Sequence, residues 1–167
     1  MKNPFYPDER RRRITEIEPA ALAARGIRGI ILDVDNTLTT HDNPRPAPGV
    51  LEWLERTRGA GLRLIVLSNN HPERVSPFAG MLGLAFEADG KKPLPGGFLR
   101  ACAHMGLSPR ETAAVGDQIF TDVIGARLAG VFCLMVDPIE PEPGWFFRLK
   151  RRLERPILRA YERRKPR

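Results

Sequence analysis

The sequence predicts an α/β domain built around a mainly parallel β-sheet, and two features of its 167 residues support this prediction. Short and nearly continuous apolar runs at 29–34, 62–67, 112–115 and 131–136 are typical of strands that are covered on both faces. Helix-length segments with apolar residues three and four positions apart lie between these runs. Strands and helices that alternate in this way form parallel sheets with right-handed crossovers.

The helices between the strands are predicted from their apolar faces and from glycines at their ends. The two clearest faces consist of Val50, Leu51 and Leu54 in one helix and of Phe98, Leu99, Cys102 and Met105 in another. Gly59 and Gly61 are expected to end the first of these helices, and Gly106 the second. A further helix is expected at 120–129.

Chain length and cysteine content narrow the class of protein. A chain of 167 residues is about the size of one domain and can bury a full hydrophobic core. Cys102 and Cys133 lack the spacing of a redox motif or of a secreted disulfide pattern, so we expect a reducing compartment. No apolar run approaches the roughly 20 residues of a membrane span, and no signal-peptide core is present. We therefore expect a cytoplasmic protein, either soluble or peripheral on the inner face of the membrane.

Positive charge is concentrated at the C-terminal end of the chain. The formal net charge is +7, and residues 146–167 alone contain ten Lys or Arg and two Glu. When residues 1–13 are also set aside, the remaining body has a net charge of about −4. This acidic body lacks a base-stacking module, which disfavours nucleic acid as the main partner. The sequence thus divides into a body at 1–145 and a basic tail at 146–167.

Polar segments follow the predicted strands, at the sheet edge where open parallel sheets bind ligands. Segment 33–37 (DVDNT) follows the first strand, 68–70 (SNN) the second, and 117–122 (DQIFTD) the third. Segment 91–93 (KKP) lies between the second and third of these. Because carboxylates near a core strand are costly to bury, we expect a divalent cation and a lysine to neutralise them.

These segments resemble the four motifs of the haloacid dehalogenase-like (HAD) phosphatases. DVDNT resembles the DxDxT nucleophile motif, LSNN the second motif, KKP the lysine motif and VGDQIFTD the acidic metal motif. Each motif alone is also typical of a turn, a helix cap or a solvated charge. Four motifs in order across 31–122 favour a phosphoryl-transfer site instead. Their wording resembles the YqeG family, whose distant relatives include phosphatidylglycerophosphate phosphatases.

The resemblance implies a role for each motif residue. Asp33 would be the nucleophile that forms an aspartyl-phosphate, and Asp35 the general acid and then the general base. Lys92, which directly precedes proline, would offset charge between phosphate and nucleophile. We expect the chain to bend after Asp33 so that both acids reach one phosphate, since Asn36 and Thr37 tolerate turns. The implied phosphate-binding residues are Thr37, Ser68, Asn69 and Lys92.

The resemblance also implies a Mg²⁺ cofactor and a three-layer, Rossmann-like HAD fold. The implied metal-binding residues are Asp33, Asp35 through its backbone carbonyl, Asp117 and, in a supporting position, Asp122. The intervals between motifs are too short for a separate cap domain, as in the capless subfamily IIIA. Segment 40–49 can form only a small flap, so we expect an open site that admits the end of a large substrate.

The basic tail predicts an amphipathic helix and leaves its partner open. Leu149, Leu153, Ile157 and Tyr161 recur every four residues among arginines. Pro156 is expected to kink this helix or to start a second one. Such a helix would suit an anionic membrane, docking on the body, or RNA.

We therefore predict a Mg²⁺-dependent phosphomonoester hydrolase, with the anionic phospholipid phosphatidylglycerophosphate as the leading substrate. The alternatives are a phosphatase for soluble esters or nucleic-acid ends, and a non-catalytic HAD scaffold that binds RNA or a ribosome-associated partner. His41, His71 and His104 lack the spacing of a zinc site, so we expect them on the surface or in loops.

Overall fold

A six-stranded parallel sheet lies at the centre of the computed structural model, which describes residues 3–41 and 43–164. The strands are β1 (Glu9–Arg11), β2 (Gly29–Leu32), β3 (Arg63–Leu67), β4 (Ala85–Glu87), β5 (Thr112–Gly116) and β6 (Phe132–Val136). The helices are α1 (Pro19–Ala24), α2 (Val50–Gly59), α3 (Pro72–Met81), α4 (Gly96–Met105), α5 (Ile124–Ala129) and α6 (Trp145–Glu162). The strand order is β1-β6-β5-β2-β3-β4, and every neighbouring pair is parallel.

The core lies on both faces of the sheet and forms two separate clusters. On β2, Ile30 and Leu32 face one cluster and Ile31 the other, because successive side chains of a strand alternate between faces. Buried residues of α1, α2 and α3 cover the first face, and those of α4 and α5 cover the second. These three layers confirm the predicted fold class, and all four predicted strands are present. The edge strands β1 and β4 were not predicted, since each has only three residues.

The predicted helix faces need three corrections. Leu51 on α2 and Leu99 on α4 are exposed. On α2 the fully buried residue is Trp53, whose Nε1 donates to the Ile17 carbonyl at 2.8 Å. The helix expected at 120–129 instead begins with a π-helical turn over Ile119–Val123, before α5. Wide turns of this kind are frequent at functional sites.

The tail forms one helix, α6, that runs through Pro156 without interruption. Leu149 and Leu153 are exposed, so the predicted apolar face is only partly buried. The helix packs on the body through Ile157 and Tyr161 of the predicted face and also through Glu154 and Leu158. In the described parts of the chain, no helix is both long and apolar enough to span a membrane.

The N-terminal segment contacts the last elements of the chain. The Asp8 carboxylate accepts from the backbone N–H of Cys133 at 2.9 Å and pairs with Arg127 at 2.8 Å. The rings of Tyr6 and Tyr161 meet edge to face, 5.7 Å apart. These contacts join β1, β6 and α6 into one edge of the domain.

Candidate active site

The predicted site residues converge where β5, β2 and β3 end, around an open pocket of about 190 Å³. The predicted residues that line this pocket are Asp33, Asp35, Ser68, Asn69 and Lys92. Thr37, Asp117 and Asp122 are buried. Because β2 is central and its neighbours are parallel, side chains from three separate loops reach the same edge of the sheet.

A tight turn after β2 brings Asp33 and Asp35 to the same pocket. Asn36 adopts a left-handed conformation with φ of 59°, and its backbone N–H donates to the Thr39 carbonyl at 2.7 Å. This turn is the bend expected after Asp33. The Thr37 hydroxyl donates to Asp33 Oδ2 at 3.4 Å, so Thr37 contacts the predicted nucleophile directly.

Lys92 joins two acids of the site. Its Nζ donates to Asp33 Oδ1 and to Asp122 Oδ1, at 2.7 Å each, and the Lys92 side chain is 4% exposed. Burial alone would lower the pKa of Lys92, but attraction to Asp122 and Asp33 outweighs burial and raises it. Lys92 therefore stays charged, whereas its neighbour Lys91 is exposed to solvent.

Both polar atoms of the Asn69 side chain bind the main chain of Lys92. Asn69 Oδ1 accepts from the Lys92 N–H at 2.7 Å, and Nδ2 donates to the Lys92 carbonyl at 3.1 Å. The side chain of Asn69 thus fixes the lysine loop. Ser68 is buried at the pocket wall, and its Oγ accepts from the N–H of Asn70 at 3.1 Å.

Three carboxylates form a group that fits a hard divalent cation. Asp33, Asp117 and Asp122 each offer one oxygen, and these oxygens lie within 4.8 Å of one another. Burial raises the pKa of Asp33 from 3.8 to about 6, repulsion from Asp122 acts in the same direction, and Lys92 opposes both. Burial and repulsion from Asp33 also hold the pKa of Asp117 well above its usual range. Hard cations such as Mg²⁺ prefer oxygen ligands of this kind.

One buried atom gives independent support for a cation at this position. Asp117 is fully buried, and its Oδ1 has no hydrogen-bond partner in the part of the chain that the structure describes. An unpaired buried carboxylate oxygen is costly, so it needs either a proton or a cation. The residues present therefore fit a bound metal ion, with Asp122 anchored beside it by Lys92 and by the N–H of Gln118 at 3.1 Å.

Asp35 lies at the mouth of the pocket and has partners that the sequence did not reveal. Asn70 Nδ2 donates to Asp35 Oδ2 and an Arg74 Nη donates to Oδ1, at 2.7 Å each. His41 Nδ1 lies 3.8 Å from the same carboxylate, so this loop histidine lines the site. Asn70 follows directly after two predicted residues, a signal that could have identified it. Arg74 resembles any surface arginine at the start of a helix.

Helix α6 forms one wall of the site, which the sequence also did not reveal. Phe147 and Lys150 line the pocket, and Lys150 Nζ donates to Gln118 Oε1 at 2.8 Å. Arg151 pairs with the Asp117 carboxylate. The predicted tail is therefore in direct contact with Asp117, a predicted metal ligand. The division of the chain at residue 145 stays a prediction.

The fold and the site define the class of protein. The family model for haloacid dehalogenase-like hydrolases matches residues 40–130, which is more than half of the chain. The match begins after Asp33 and Asp35. The chain belongs to the haloacid dehalogenase-like hydrolase family.

Among individual proteins, the chain is 37% identical over 163 residues to "Probable phosphatase YqeG" of Bacillus subtilis, covering 98% of this chain and 95% of that one. It is 26% identical to "Phosphatidylglycerophosphate phosphatase 1, chloroplastic/mitochondrial" of Arabidopsis thaliana, over 88% of this chain and 45% of that protein. The D,D-heptose 1.7-bisphosphate phosphatase of B. bronchiseptica, solved with magnesium and phosphate, superposes with a TM-score of 0.54 at 21% identity. This superposition covers 65% of this chain and 80% of that structure, and it shows the shared fold.

Proposed function

We propose that this HAD-type phosphatase is a Mg²⁺-dependent phosphomonoester hydrolase that forms an aspartyl-phosphate at Asp33. The observation that carries the proposal is the arrangement around Asp33. Lys92 donates to one oxygen of its carboxylate and Thr37 to the other, and the residue lines the open pocket. The buried oxygens of Asp117 and Asp122 lie close by. A nucleophile, a fixed positive charge and a cation site thus meet at one strand end.

In the proposed reaction, an oxygen of Asp33 attacks phosphorus as the ester P–O bond breaks, and Asp35 gives a proton to the leaving oxygen. Water then attacks the phosphorus, Asp35 takes a proton from that water, and the bond from Asp33 to phosphorus breaks to release phosphate. Lys92 offsets the negative charge that accumulates in both steps. Mg²⁺, held by Asp33 and Asp117 with Asp122 in support, would supply further charge neutralisation at the phosphoryl oxygens.

The mechanism is tested by replacing each acid with its amide. We expect Asp33→Asn to abolish Mg²⁺-dependent hydrolysis of a small phosphate ester. In Asp35→Asn, attack by Asp33 on the substrate should be slowed less than hydrolysis of the aspartyl-phosphate. The phosphorylated chain should therefore accumulate, and intact-mass spectrometry of acid-quenched enzyme should detect it. Asp137→Asn serves as the matched control, since Asp137 pairs with Arg10 outside the pocket. Near-normal turnover in Asp33→Asn would reject the nucleophile assignment.

The proposed substrate is an anionic phospholipid with a terminal phosphomonoester, with phosphatidylglycerophosphate as the leading candidate. The pocket is open, so it can take a headgroup that projects from a lipid surface. An apolar groove of about 660 Å³ shares Ser68 and Asn70 with the pocket and continues along α3 past Val75, Phe78 and Met81. Such a groove offers room for an acyl chain, and the similarity to a phosphatidylglycerophosphate phosphatase agrees with this choice.

Helix α6 supports peripheral contact with a membrane. Its outer face, which we define as Trp145, Phe146, Leu149 and Leu153, is between 44% and 73% exposed. The exposed residues Arg148, Arg152 and Arg155 lie among these positions in the sequence. A basic amphipathic helix binds anionic lipid surfaces, at about 1 kcal/mol per cation near the surface. Since Phe147 and Lys150 of the same helix line the pocket, binding there would bring the pocket close to lipid headgroups.

Two measurements test the lipid proposal. Phosphate release from phosphatidylglycerophosphate in mixed micelles is compared with release from soluble esters and from phosphorylated oligonucleotides. A preference for either of the latter would reject the lipid and retain the phosphatase mechanism. Fluorescence of the exposed Trp145 should respond to anionic vesicles, because the other tryptophan is fully buried. Leu149→Glu should weaken vesicle binding, whereas Leu51→Glu on α2 should not; equal effects would reject the α6 surface.

The two cysteines support a location in the cytoplasm. Cys102 and Cys133 are buried thiols without a disulfide. Free buried thiols are usual in reducing compartments. A cytoplasmic enzyme of this kind would meet phospholipid at the inner face of the membrane.

A further inference from the structure

We propose that Arg151 of α6 is a positioning residue for the metal site, which holds one oxygen of Asp117 and leaves the other to bind the cation. This inference rests on the proposed metal-dependent function, which it deepens by adding α6 to the metal site. Neither the motif resemblance nor the family match includes α6, since the match ends at residue 130.

The guanidinium of Arg151 binds Asp117 at two points. Nη2 donates to Asp117 Oδ2, and Nη1 donates to the backbone carbonyl of Asp117 at 2.7 Å. Because a guanidinium is planar and rigid, this double contact fixes the side chain of Asp117 relative to its own backbone. Two donors from one residue therefore set the orientation of one carboxylate.

The contact uses only one of the two carboxylate oxygens. Oδ1 of Asp117 remains without a hydrogen-bond partner among the described residues, although it is buried. The carboxylates of Asp33 and Asp122 each offer an oxygen within 4.8 Å of one of the two Asp117 carboxylate oxygens. An oxygen that is oriented, buried and unpaired is ready to bind a cation, because no donor among the described residues must be displaced.

Arg151 is itself held in place by acids on two elements. Glu154 Oε2 accepts from it at 3.1 Å, and Glu142 Oε2 at 3.3 Å. The other oxygen of Glu154 accepts from the backbone N–H of Ile119 at 2.8 Å. Ile119 lies in the turn between Asp117 and Asp122, so α6 is anchored to the same loop that carries both acids.

A different role for Arg151 would give the opposite result. If its positive charge competed with the cation for Asp117, removing the side chain would strengthen Mg²⁺ binding. We favour positioning because the charge of Arg151 is shared with Glu142 and Glu154, which are nearly buried at 5% and 2% side-chain exposure. These two acids reduce the repulsion that the guanidinium would exert on a cation.

The test is the Mg²⁺ dissociation constant of the full chain, measured by isothermal titration calorimetry without substrate. Arg151→Ala should weaken binding by about 10- to 100-fold, as loss of a partner that orients a metal ligand does. Arg151→Lys should recover only part of the affinity, because lysine lacks the planar pair of donors. Arg159→Ala, on an exposed position of the same helix, is the control and should bind as wild type does. Unchanged or tighter binding in folded Arg151→Ala would overturn the proposal.

Two further variants keep the test decisive. Arg151→Ala leaves Glu154 buried without its cation, which could prevent folding. Arg151→Gln combined with Glu154→Gln removes both charges and retains an acceptor for the Ile119 N–H, and it should show the same loss of affinity. Asp117→Asn separates the two hypotheses. If it binds Mg²⁺ normally, the proposed metal site itself is wrong, whereas weak binding in Asp117→Asn with normal binding in the arginine variants rejects only the role of Arg151.

Discussion

Asp33→Asn is expected to remove activity and to stabilise the metal-free protein at the same time. Burial raises the pKa of Asp33 from 3.8 to about 6, even with Lys92 beside it. At about 1.4 kcal/mol per pKa unit, ionised Asp33 lowers the free energy of unfolding by roughly 3 kcal/mol relative to a neutral side chain. An asparagine has nearly the shape of the protonated acid, so it should avoid this cost. For a chain of this length, 3 kcal/mol corresponds to a rise in melting temperature of about 6–12 °C.

The effect depends on pH in a defined direction. Because the pKa of Asp33 is higher in the folded state than in the unfolded state, the folded protein binds more protons between pH 3.8 and about 6. The contribution of Asp33 to the free energy of unfolding therefore falls as pH rises through that window, and it is constant above the window. The gain in free energy of unfolding that Asp33→Asn gives over wild type should be absent below this window, increase across it and be complete by pH 8.

Urea denaturation in EDTA, followed by circular dichroism at pH 4 and pH 8, provides the measurement. Saturating Mg²⁺ should narrow the difference in free energy of unfolding between Asp33→Asn and wild type at pH 8. A ligand at 100 times its dissociation constant stabilises the folded wild type by about 2.7 kcal/mol. Asp137→Asn controls for the general effect of losing a carboxylate, because Asp137 is a third exposed and forms an ion pair with Arg10. If Asp33→Asn is no more stable than wild type at pH 8 in EDTA, the proposed cost of the buried charge is refuted.

Three further predictions concern the same edge of the sheet. Gly116→Ala should weaken Mg²⁺ binding at least tenfold, because the added Cβ would lie 2.3 Å from Cγ of Asp122. Gly59→Ala is the control and should not weaken it, because the space around that Cβ is open. Calorimetric Mg²⁺ affinity should fall as pH drops below about 6, since protonation of Asp33 competes with the cation, and pH-independent affinity would contradict this. Met81→Glu, at an exposed part of the apolar groove, should raise KM for long-chain lipid and spare small esters, as kinetic assays of both would show.

The central part of the fold and the polar edge were predictable from sequence for the same reason. Strands such as Gly29–Leu32 are buried on both faces, so their apolar runs are continuous and stand out from the polar residues that follow. Asp33 and Asp117 are conspicuous because each acid directly follows such a run. Parallel pairing then brings the acids together without further information.

The docking of α6 was not predictable, because its packed face is not apolar throughout. The positions of α6 that face the body are spaced three, four or seven residues apart. They begin with Phe147, Lys150 and Arg151 and continue to Ile157 and Tyr161. The polar part of this face, Lys150 and Arg151, binds Gln118 and Asp117 at the edge of the sheet. Apolar spacing alone therefore predicts a helix face that includes Leu149 and Leu153, which are exposed.

The same limit applies to Arg151 and Arg74. In the sequence each is one of 27 basic residues, and nothing local separates a guanidinium that binds a carboxylate from one that solvates a helix. Their partners lie on other elements, so only the tertiary structure identifies them.

The pairing of β1 with β6 also has a consequence for biosynthesis. Glu9–Arg11 is translated before its partner Phe132–Val136, and β2 to β5 come between them in the chain. During vectorial synthesis β1 must therefore remain unpaired until β2 to β5 and then β6 have left the ribosome. The waiting strand is the charged tripeptide ERR, a sequence with little tendency to recruit other chains at an open edge. Nascent molecules can thus postpone closure of this edge with little risk of self-association.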